Sequence, residues 1–481
     1  MRDDLEPIER ELIRLHVNPV YTKIDLTDVG SESLSRLILQ DVGEVIRARP
    51  EGFQFSPKYR DGRWNGYINL LKGVNFPTGL LEHVLPRLKE IAKELALELL
   101  INRYTLPPVE EAVPETLHDV ILRNYQVDAI NDLLQAGRGV AHIATGGGKT
   151  LIIAALIYLI QGSALVITHK KELLHQTSHV IKQHTGLDVG LVGDGLSETD
   201  RLVTVAMIQT LYKQSRTTMI KDLLKRQTCL IIDEVHHVSS RTMYEVVMKI
   251  PARWRYGVSG TPLRYVVLDD MQLMAATGGV VVTITNDELI KAGYNALPVI
   301  HLYHIYNPAE SNGDYQAHYE NMIVSNPTRN GIVATQSLSA YKRGNVVLVL
   351  VDRLDHQNII YNQITIQQKK NVYRLNGSQE SGYRNKMLDL MRTGKPGIFI
   401  ATEILGEGVD VPSLGMVILA GGGKSHIRLL QRVGRGMRPK EDEINRVDIV
   451  DFIDHGSRYL EQHSKERMRI YDQEGFLLKE N

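Results

Sequence analysis

The run HIATGGGKTLII, His142 to Ile153, sets three glycines, a lysine and a hydroxyl in the order an anion cradle needs. Gly146, Gly147 and Gly148 can curl the backbone so that successive N–H groups face one anion. The apolar stretch LIIAALIYLI predicts a helix whose N-terminus adds positive potential at the same place. Lys149 would reach the β- and γ-phosphates of a nucleotide, and the Thr150 hydroxyl would hold magnesium. The pattern G-x-x-x-x-G-K-[ST] is incomplete, because Ile143 stands where the first glycine belongs. Taken alone, the stretch also reads as a glycine-rich turn before a core helix.

Two further groups supply what hydrolysis would require. The apolar run CLII ends in DEVH, where Asp233 is suited to magnesium and Glu234 to orienting and deprotonating an attacking water. A strand-end Asp-Glu pair is otherwise a common solvated turn. In QRVGRGMRP, Gln431 to Pro439, helical spacing puts Arg435 and Arg438 on one face. Their guanidinium groups could meet a transferring phosphoryl group, or simply form surface ion pairs.

These residues need a scaffold that brings them to one edge. The β-rich runs GVAHIA, ALVITH, LVTVAM, TCLIID and RYGVSG alternate with amphipathic stretches, the pattern of a parallel sheet covered by helices. A second series comes after them in NVVLVLVD, NVYRLNG, GIFIAT, GMVILAG and VDIVDFI. Loops at the carboxyl ends of such strands are where parallel sheets bind ligands. The join falls near DELIKAGYNALPVI, and the proline- and glutamate-rich TLPPVEEAVPET, Thr105 to Thr116, precedes the first series. The expected layout is an N-terminal domain at 1–104, a linker at 105–116, α/β domains at 117–292 and 293–456, and a helical tail at 457–481.

Composition bounds the remaining choices. A chain of 481 residues with 43% hydrophobic and 23% charged residues suits several folded domains. Lysine plus arginine equals aspartate plus glutamate at 56 each, so any nucleic-acid surface must be local. The single cysteine, Cys229, excludes an intrachain disulfide and sits in an apolar strand rather than among nucleophile-activating groups. No apolar run is long enough for a membrane span, and MRDDLEPIER is too acidic for a leader, so a cytoplasmic location is expected, that of a host if the chain is viral. No short-period repeat is present.

In order and text these elements resemble a superfamily 2 DNA or RNA helicase over residues 120 to 440. RNYQ resembles the adenine-reading element, implying Arg123 and Gln126 at the base. ATGGGKT resembles motif I, in which the first-position glycine is dispensable; it implies a cradle of Thr145, Gly146, Gly147, Gly148, Lys149 and Thr150. DEVH is similar to motif II and SGTP to motif III, implying that His236, Ser259 and Thr261 couple nucleotide to motion. ALVITHKKELLHQT and TVAMIQTL resemble motifs Ia and Ib, implying strand contacts at Thr168, His169, Lys170, Gln209 and Thr210. LVLVDRLDH and ATEILGEGVDVP resemble motifs IV and V, implying further strand contacts at Arg353 and Thr402 and nucleotide contacts at Gly408 and Asp410. QRVGRGMRP is similar to motif VI, which assigns Gln431, Arg435 and Arg438 to catalysis.

The resemblance implies α/β architecture: two tandem RecA-like parallel-sheet motor domains with ATP between them, after a small α+β domain. Its cofactors would be ATP and Mg2+, and the chain would work as a monomer.

Within the N-terminal domain, GFQFSPKYRDGRWNGYINLL interleaves aromatic with basic residues, a composition suited to nucleic acid but also to a small β-domain with a solvated rim. With FPTGLL, its Gly52, Phe55, Pro57, Arg60, Gly62, Trp64, Gly66, Leu70 and Leu71 resemble the bacteriophage UvsW-type helicases. That resemblance implies single-stranded and branched duplex DNA as partner. Arg60 and Arg63 are expected to be free to meet phosphates, and Trp64 to pack in the core or wedge against a base pair. An RNA helicase, a duplex translocase without strand separation and a non-enzymatic nucleotide switch remain open on the sequence.

Overall fold

The computed structural model describes residues 11–109, 113–144, 146–263, 266–307, 314–402, 414–422, 446–473 and 476–480. They divide into two compact units, one of residues up to 143 with 148–284, the other of residues 144–147 with those from 285 onward.

The first unit begins with the expected small α+β module. Strands Leu12–Val17, Tyr21–Asp28, Asn75–Pro77 and Glu98–Arg103 form a mixed sheet, whose Leu12–Val17 pairs antiparallel with Tyr21–Asp28 and parallel with Glu98–Arg103. Helices Glu32–Val45 and Leu81–Glu94 cover one face, and the buried alternation of Ile13, Leu15 and Val17 supplies the core beneath them.

This module is fused to the remainder of the first unit. Its core continues into Leu268, Met271 and Ala275 of the helix Val267–Ala276. At the seam, a Cβ on Gly79 would lie 1.9 Å from the Met274 carbonyl oxygen, so only glycine allows the backbones to come so close. Arg138 Nη1 donates to the Pro19 carbonyl and Tyr104 Oη to that of Arg253, across the same seam.

Beyond a short hairpin at Thr116–Leu117 and Val120–Ile121 lies an eight-stranded sheet. Its spatial order is Leu196–Ser197, Val189–Gly193, Val203–Met207, Ala164–Thr168, Cys229–Asp233, Trp254–Ser259, Arg138–Ile143 and Val280–Ile284. Every pairing is parallel except the outermost one, Val189–Gly193 with Leu196–Ser197. The five runs read from sequence as strands are central here, because aliphatic residues on successive positions bury both faces of a covered sheet. Cys229 is fully buried, and burial raises its thiol far above the usual range. The helix Lys149–Ile160 is apolar nearly all round and correspondingly buried.

In the second unit seven strands are all parallel, in the order Val372–Leu375, Gly397–Ala401, Val346–Leu350, Leu414–Leu419, Arg446–His455, Leu297–Tyr306 and Leu477–Glu480. Val346, Leu348 and Leu350 enter the core on one face; Val347 and Val349 enter the core on the other.

The expected helical tail takes another form. Arg458–Gln473 is a helix, but Leu477–Glu480 is a strand that extends the sheet beside Leu297–Tyr306. The helix is fastened through buried charge. Arg467 Nε donates to Asp451 Oδ2 at 2.8 Å and Tyr471 Oη donates to the same oxygen at 2.7 Å; on the same strand, Asp454 Oδ1 accepts at 2.5 Å from Arg329 Nη1 of the helix Pro327–Lys342. Paired and hydrogen-bonded, these groups tolerate a burial that unpaired charges would not. Among the described residues, no helix is long and apolar enough to cross a membrane.

Candidate active site

Three strands of the first sheet end side by side, and the chemistry sits just past them. Arg138–Ile143 leads into the glycine run, Cys229–Asp233 ends on the acidic pair, and Trp254–Ser259 ends on the SGTP segment. The run is built for left-handed backbone, with φ of +85° at Gly146 and +78° at Gly148. Gly148 is also the N-cap of Lys149–Ile160 and has no side-chain cap, which leaves that helix start to backbone groups. A Cβ on Gly148 would lie 2.2 Å from Gln126 Nε2. Gln126 is 2% exposed, and its Oε1 accepts from the Arg123 backbone N–H at 2.9 Å. The RNYQ element therefore packs directly on the cradle.

Glu234 has φ +51°, a left-handed conformation costly for a residue with a side chain and typical of functional strain. Lys149 Nζ lies 3.6 Å from Glu234 Oε1. Ser259 Oγ donates to Glu234 Oε2 at 3.1 Å, accepts from the Thr261 N–H at 3.2 Å and lies 2.9 Å from His236 Nδ1. Since the hydroxyl has one proton and gives it to Glu234, His236 Nδ1 must be a donor to Ser259. The coupling residues expected from motifs II and III are thus in direct contact with the carboxylate expected to orient water.

Asp233 is 6% exposed. Burial first, then the neighbouring Glu234 carboxylate, push it up to about 7, while the Lys149 ammonium opposes the shift. A divalent cation would supply the missing positive charge, so the donor set of a buried carboxylate and the Thr150 hydroxyl fits magnesium. Among the described residues, no three His, Cys, Asp or Glu converge on one point. Magnesium would accordingly complete its shell with phosphate oxygens and water.

A line of rings that the motifs did not announce leaves this site. His236 and His237 have ring centroids 4.2 Å apart, and His237 lies 4.3 Å from His169. Gln209 Nε2 then donates to the His169 carbonyl at 3.0 Å. Contact therefore runs from Lys149 and Glu234 to the positions expected from motifs Ia and Ib. The doubled histidine in DEVHH was the available signal.

Other expected strand contacts fare differently. Gln209 is exposed, Lys170 and Thr210 are half-buried, but Thr168 is fully buried and its side chain cannot reach a strand in this conformation. Arg353 is held by Glu320 Oε2 at 2.8 Å and by Gln316, with its guanidinium 4.6 Å over the Tyr319 ring. The Thr402 N–H donates to the Leu375 carbonyl. Arg63 is paired with Asp61, and Arg60 Nε donates to the Gln54 carbonyl, so neither arginine is as free as expected. Trp64 is half-buried with its indole N–H donating to the Tyr67 carbonyl at 2.8 Å, which commits it to the local fold rather than to a wedge. Beside it, the Tyr67 ring is met by two guanidinium groups, Arg47 at 4.3 Å and Arg49 at 4.4 Å from its centroid. Thr145, Gly408, Asp410, Gln431, Arg435 and Arg438 lie outside the described residues.

Comparison with known proteins agrees with this geometry. Residues 119–264 match the family model of the type III restriction enzyme res subunit, and residues 332–440 that of the helicase conserved C-terminal domain. The chain is 24% identical over 475 residues to the ATP-dependent DNA helicase uvsW of Enterobacteria phage T4, covering 89% of this chain and 92% of that one. It is 26% identical over 369 residues to a Rad25-named DNA 3'-5' helicase of Halobacterium salinarum, covering 75% of this chain but only 58% of the other. Among solved structures, a fragment of an HsdR subunit of a type I restriction enzyme from Vibrio vulnificus YJ016 superposes with a TM-score of 0.55 at 19% identity, covering 89% of this chain and 82% of that one. The chain belongs to the superfamily 2 helicases, an enzyme family built on ATP hydrolysis, and its two parallel sheets are RecA-like modules.

Proposed function

We propose that this superfamily 2 helicase is an ATP-driven DNA motor that unwinds or branch-migrates forked and junction DNA in recombination, repair or replication. The observation that carries the reading is the unbroken line of contact from Lys149 and Glu234, through Ser259, His236 and His237, to His169 and Gln209. A nucleotide site wired in this way to strand-contact positions suits a motor better than a nucleotide switch.

In this reading the glycine run and Lys149 hold the phosphates, and Glu234 orients the attacking water and takes its proton. Magnesium, when bound with Thr150 and Asp233, neutralises phosphate charge. Ser259 senses the state of Glu234 through their hydrogen bond and passes it to His236. Arg435 and Arg438 contribute charge to the transferring phosphoryl group, and Gln431, Gly408 and Asp410 help to position it, as their motifs imply.

Substrate choice is assigned to the N-terminal module. Its resemblance to the UvsW-type helicases favours branched duplex, and the exposed Arg49 beside Tyr67 and Phe53 gives it a cationic, aromatic rim. Because that module shares a core with the first RecA-like module, a duplex held there would move with the nucleotide site.

The test is ATP turnover by the full chain as a monomer on single-stranded, duplex, forked and four-way DNA, with RNA as control. Strongest stimulation by forked or four-way DNA is expected. Stimulation by RNA alone would favour an RNA helicase, and no stimulation by any nucleic acid would overturn the reading.

A further inference from the structure

In the second unit, the strand Leu297–Tyr306 runs alongside Arg446–His455 in parallel register, with Tyr306 opposite His455. Strand periodicity puts His304 and Tyr306 on one face, and His455 joins them there. His304 Nδ1 lies 2.9 Å from His455 Nε2, with the rings 11° from parallel and their centroids 5.2 Å apart. Two imidazoles that meet nitrogen to nitrogen at that separation lie edge to edge and make one extended plane. Tyr306 lies on this plane, 4.5 Å from His455 and 7° from parallel to it.

The arrangement is braced. The Asn307 N–H and its Nδ2 both donate to the His455 carbonyl, at 3.2 and 3.3 Å, and Asn326 Nδ2 donates to Asn307 Oδ1 at 2.8 Å. Two hydrogen bonds thus fix the ends of the two strands against each other, and the third ties Asn307 to the N-cap of the helix Pro327–Lys342. Yet Tyr306 is 77% exposed. A ring recruited to fill the core would be buried, and a ring left loose on the surface would not be laid parallel to a two-imidazole plane.

Position adds to this. Tyr306 and His455 end their strands at the carboxyl edge of an all-parallel sheet, the edge at which Arg353 and Thr402 also come after theirs. Just past His455, the exposed Arg458 lies 4.8 Å over the Tyr459 ring and offers a cation at that end. A flat, exposed aromatic face suits an unpaired base, and a guanidinium three residues further along the chain from His455 suits a phosphate.

We propose that Tyr306, laid on His455, whose ring His304 extends edge to edge, is a stacking platform for an unpaired nucleobase of the strand on which this motor acts. The inference rests on the reading of the chain as a nucleic-acid motor and goes beyond it, since none of the helicase motifs assigns these three residues. Stacking accepts any base, as a translocating motor requires.

Single-stranded oligonucleotides carrying 5-iodouracil, irradiated with the full chain, should cross-link to Tyr306 as read by mass spectrometry of the digested adduct. In equilibrium binding, Tyr306→Ala should weaken a single-stranded oligonucleotide about tenfold, Tyr306→Trp should restore it, and blunt duplex should bind as before. Thermal melting of each variant reports folding, which an exposed side chain should leave intact. If wild type binds single strands but Tyr306→Ala binds them equally, or if cross-links fall elsewhere, the platform is overturned and the motor reading stands. If wild type binds no single strand, the platform falls, and the motor reading falls with it only if forked and four-way DNA also go unbound.

Discussion

The imidazole rings of His169 and His237 lie 4.3 Å apart, so that the segment after Glu234 touches the segment after the strand Ala164–Thr168. Through His236 and Ser259 this contact continues to Glu234. His237→Ala removes the central ring without touching the nucleotide cradle. The ratio of DNA-stimulated to unstimulated ATP turnover should fall about tenfold, equivalent to roughly 1.4 kcal/mol of coupling, with KM for ATP within about twofold. A DNA titration of steady-state ATPase measures it, and an unchanged ratio would remove His237 from the relay.

Gly148 presents a double constraint. Its φ of +78° disfavours any side chain, and a Cβ there would meet Gln126 Nε2 at 2.2 Å. Gly148→Ala should weaken a fluorescent ATP analogue by at least about tenfold. Adding Gln126→Ala relieves the contact but not the backbone strain, so only partial recovery of binding is expected. Full recovery would mean that the cradle does not depend on its left-handed turn.

Lys149→Ala and Glu234→Gln should separate binding from chemistry. Loss of the Lys149 ammonium removes a phosphate contact and should weaken ATP binding. Glu234→Gln keeps the shape but removes the base, so ATP should still bind while turnover falls by about 100-fold or more. Near-normal hydrolysis by the glutamine variant would contradict the role given to Glu234.

Gly79 brings the backbone of the N-terminal module close against the helix Val267–Ala276. In Gly79→Ala the new Cβ would meet backbone oxygens at 1.9 and 2.8 Å, which cannot rotate away as a side chain would. A cost of about 1–3 kcal/mol is expected, seen as a lower melting temperature of the first unit. An unchanged melting temperature would indicate that the two modules do not depend on each other for stability.

Much of this architecture can be read from the chain because its central strands are apolar on both faces. Val346–Leu350 and Cys229–Asp233 are buried throughout, and such runs have few other uses. Motif order likewise places Lys149, Asp233 and Ser259 at neighbouring strand ends. The C-terminal segment is harder, because Arg329, Asp451, Asp454 and Arg467 are buried in ion pairs whose members lie far apart in the sequence or on different elements. Read singly, each looks like a surface charge. Leu477–Glu480 is short and exposed, so the neighbour it pairs with, rather than its own pattern, makes it a strand. Arg353 reads as a strand contact until its partners Glu320 and Gln316, distant in sequence, appear beside it. The shared core around Leu268 and Met271 is equally hidden, since an apolar helix face does not declare which module it will cover.

Strand separation on a labelled fork tests the central claim most directly. With ATP and magnesium, the full chain should displace the labelled strand, and Glu234→Gln should bind the fork without displacing it. No displacement by the wild type on forked or four-way DNA would contradict unwinding or branch migration, and equal displacement by Glu234→Gln would contradict its being driven by ATP hydrolysis at this site.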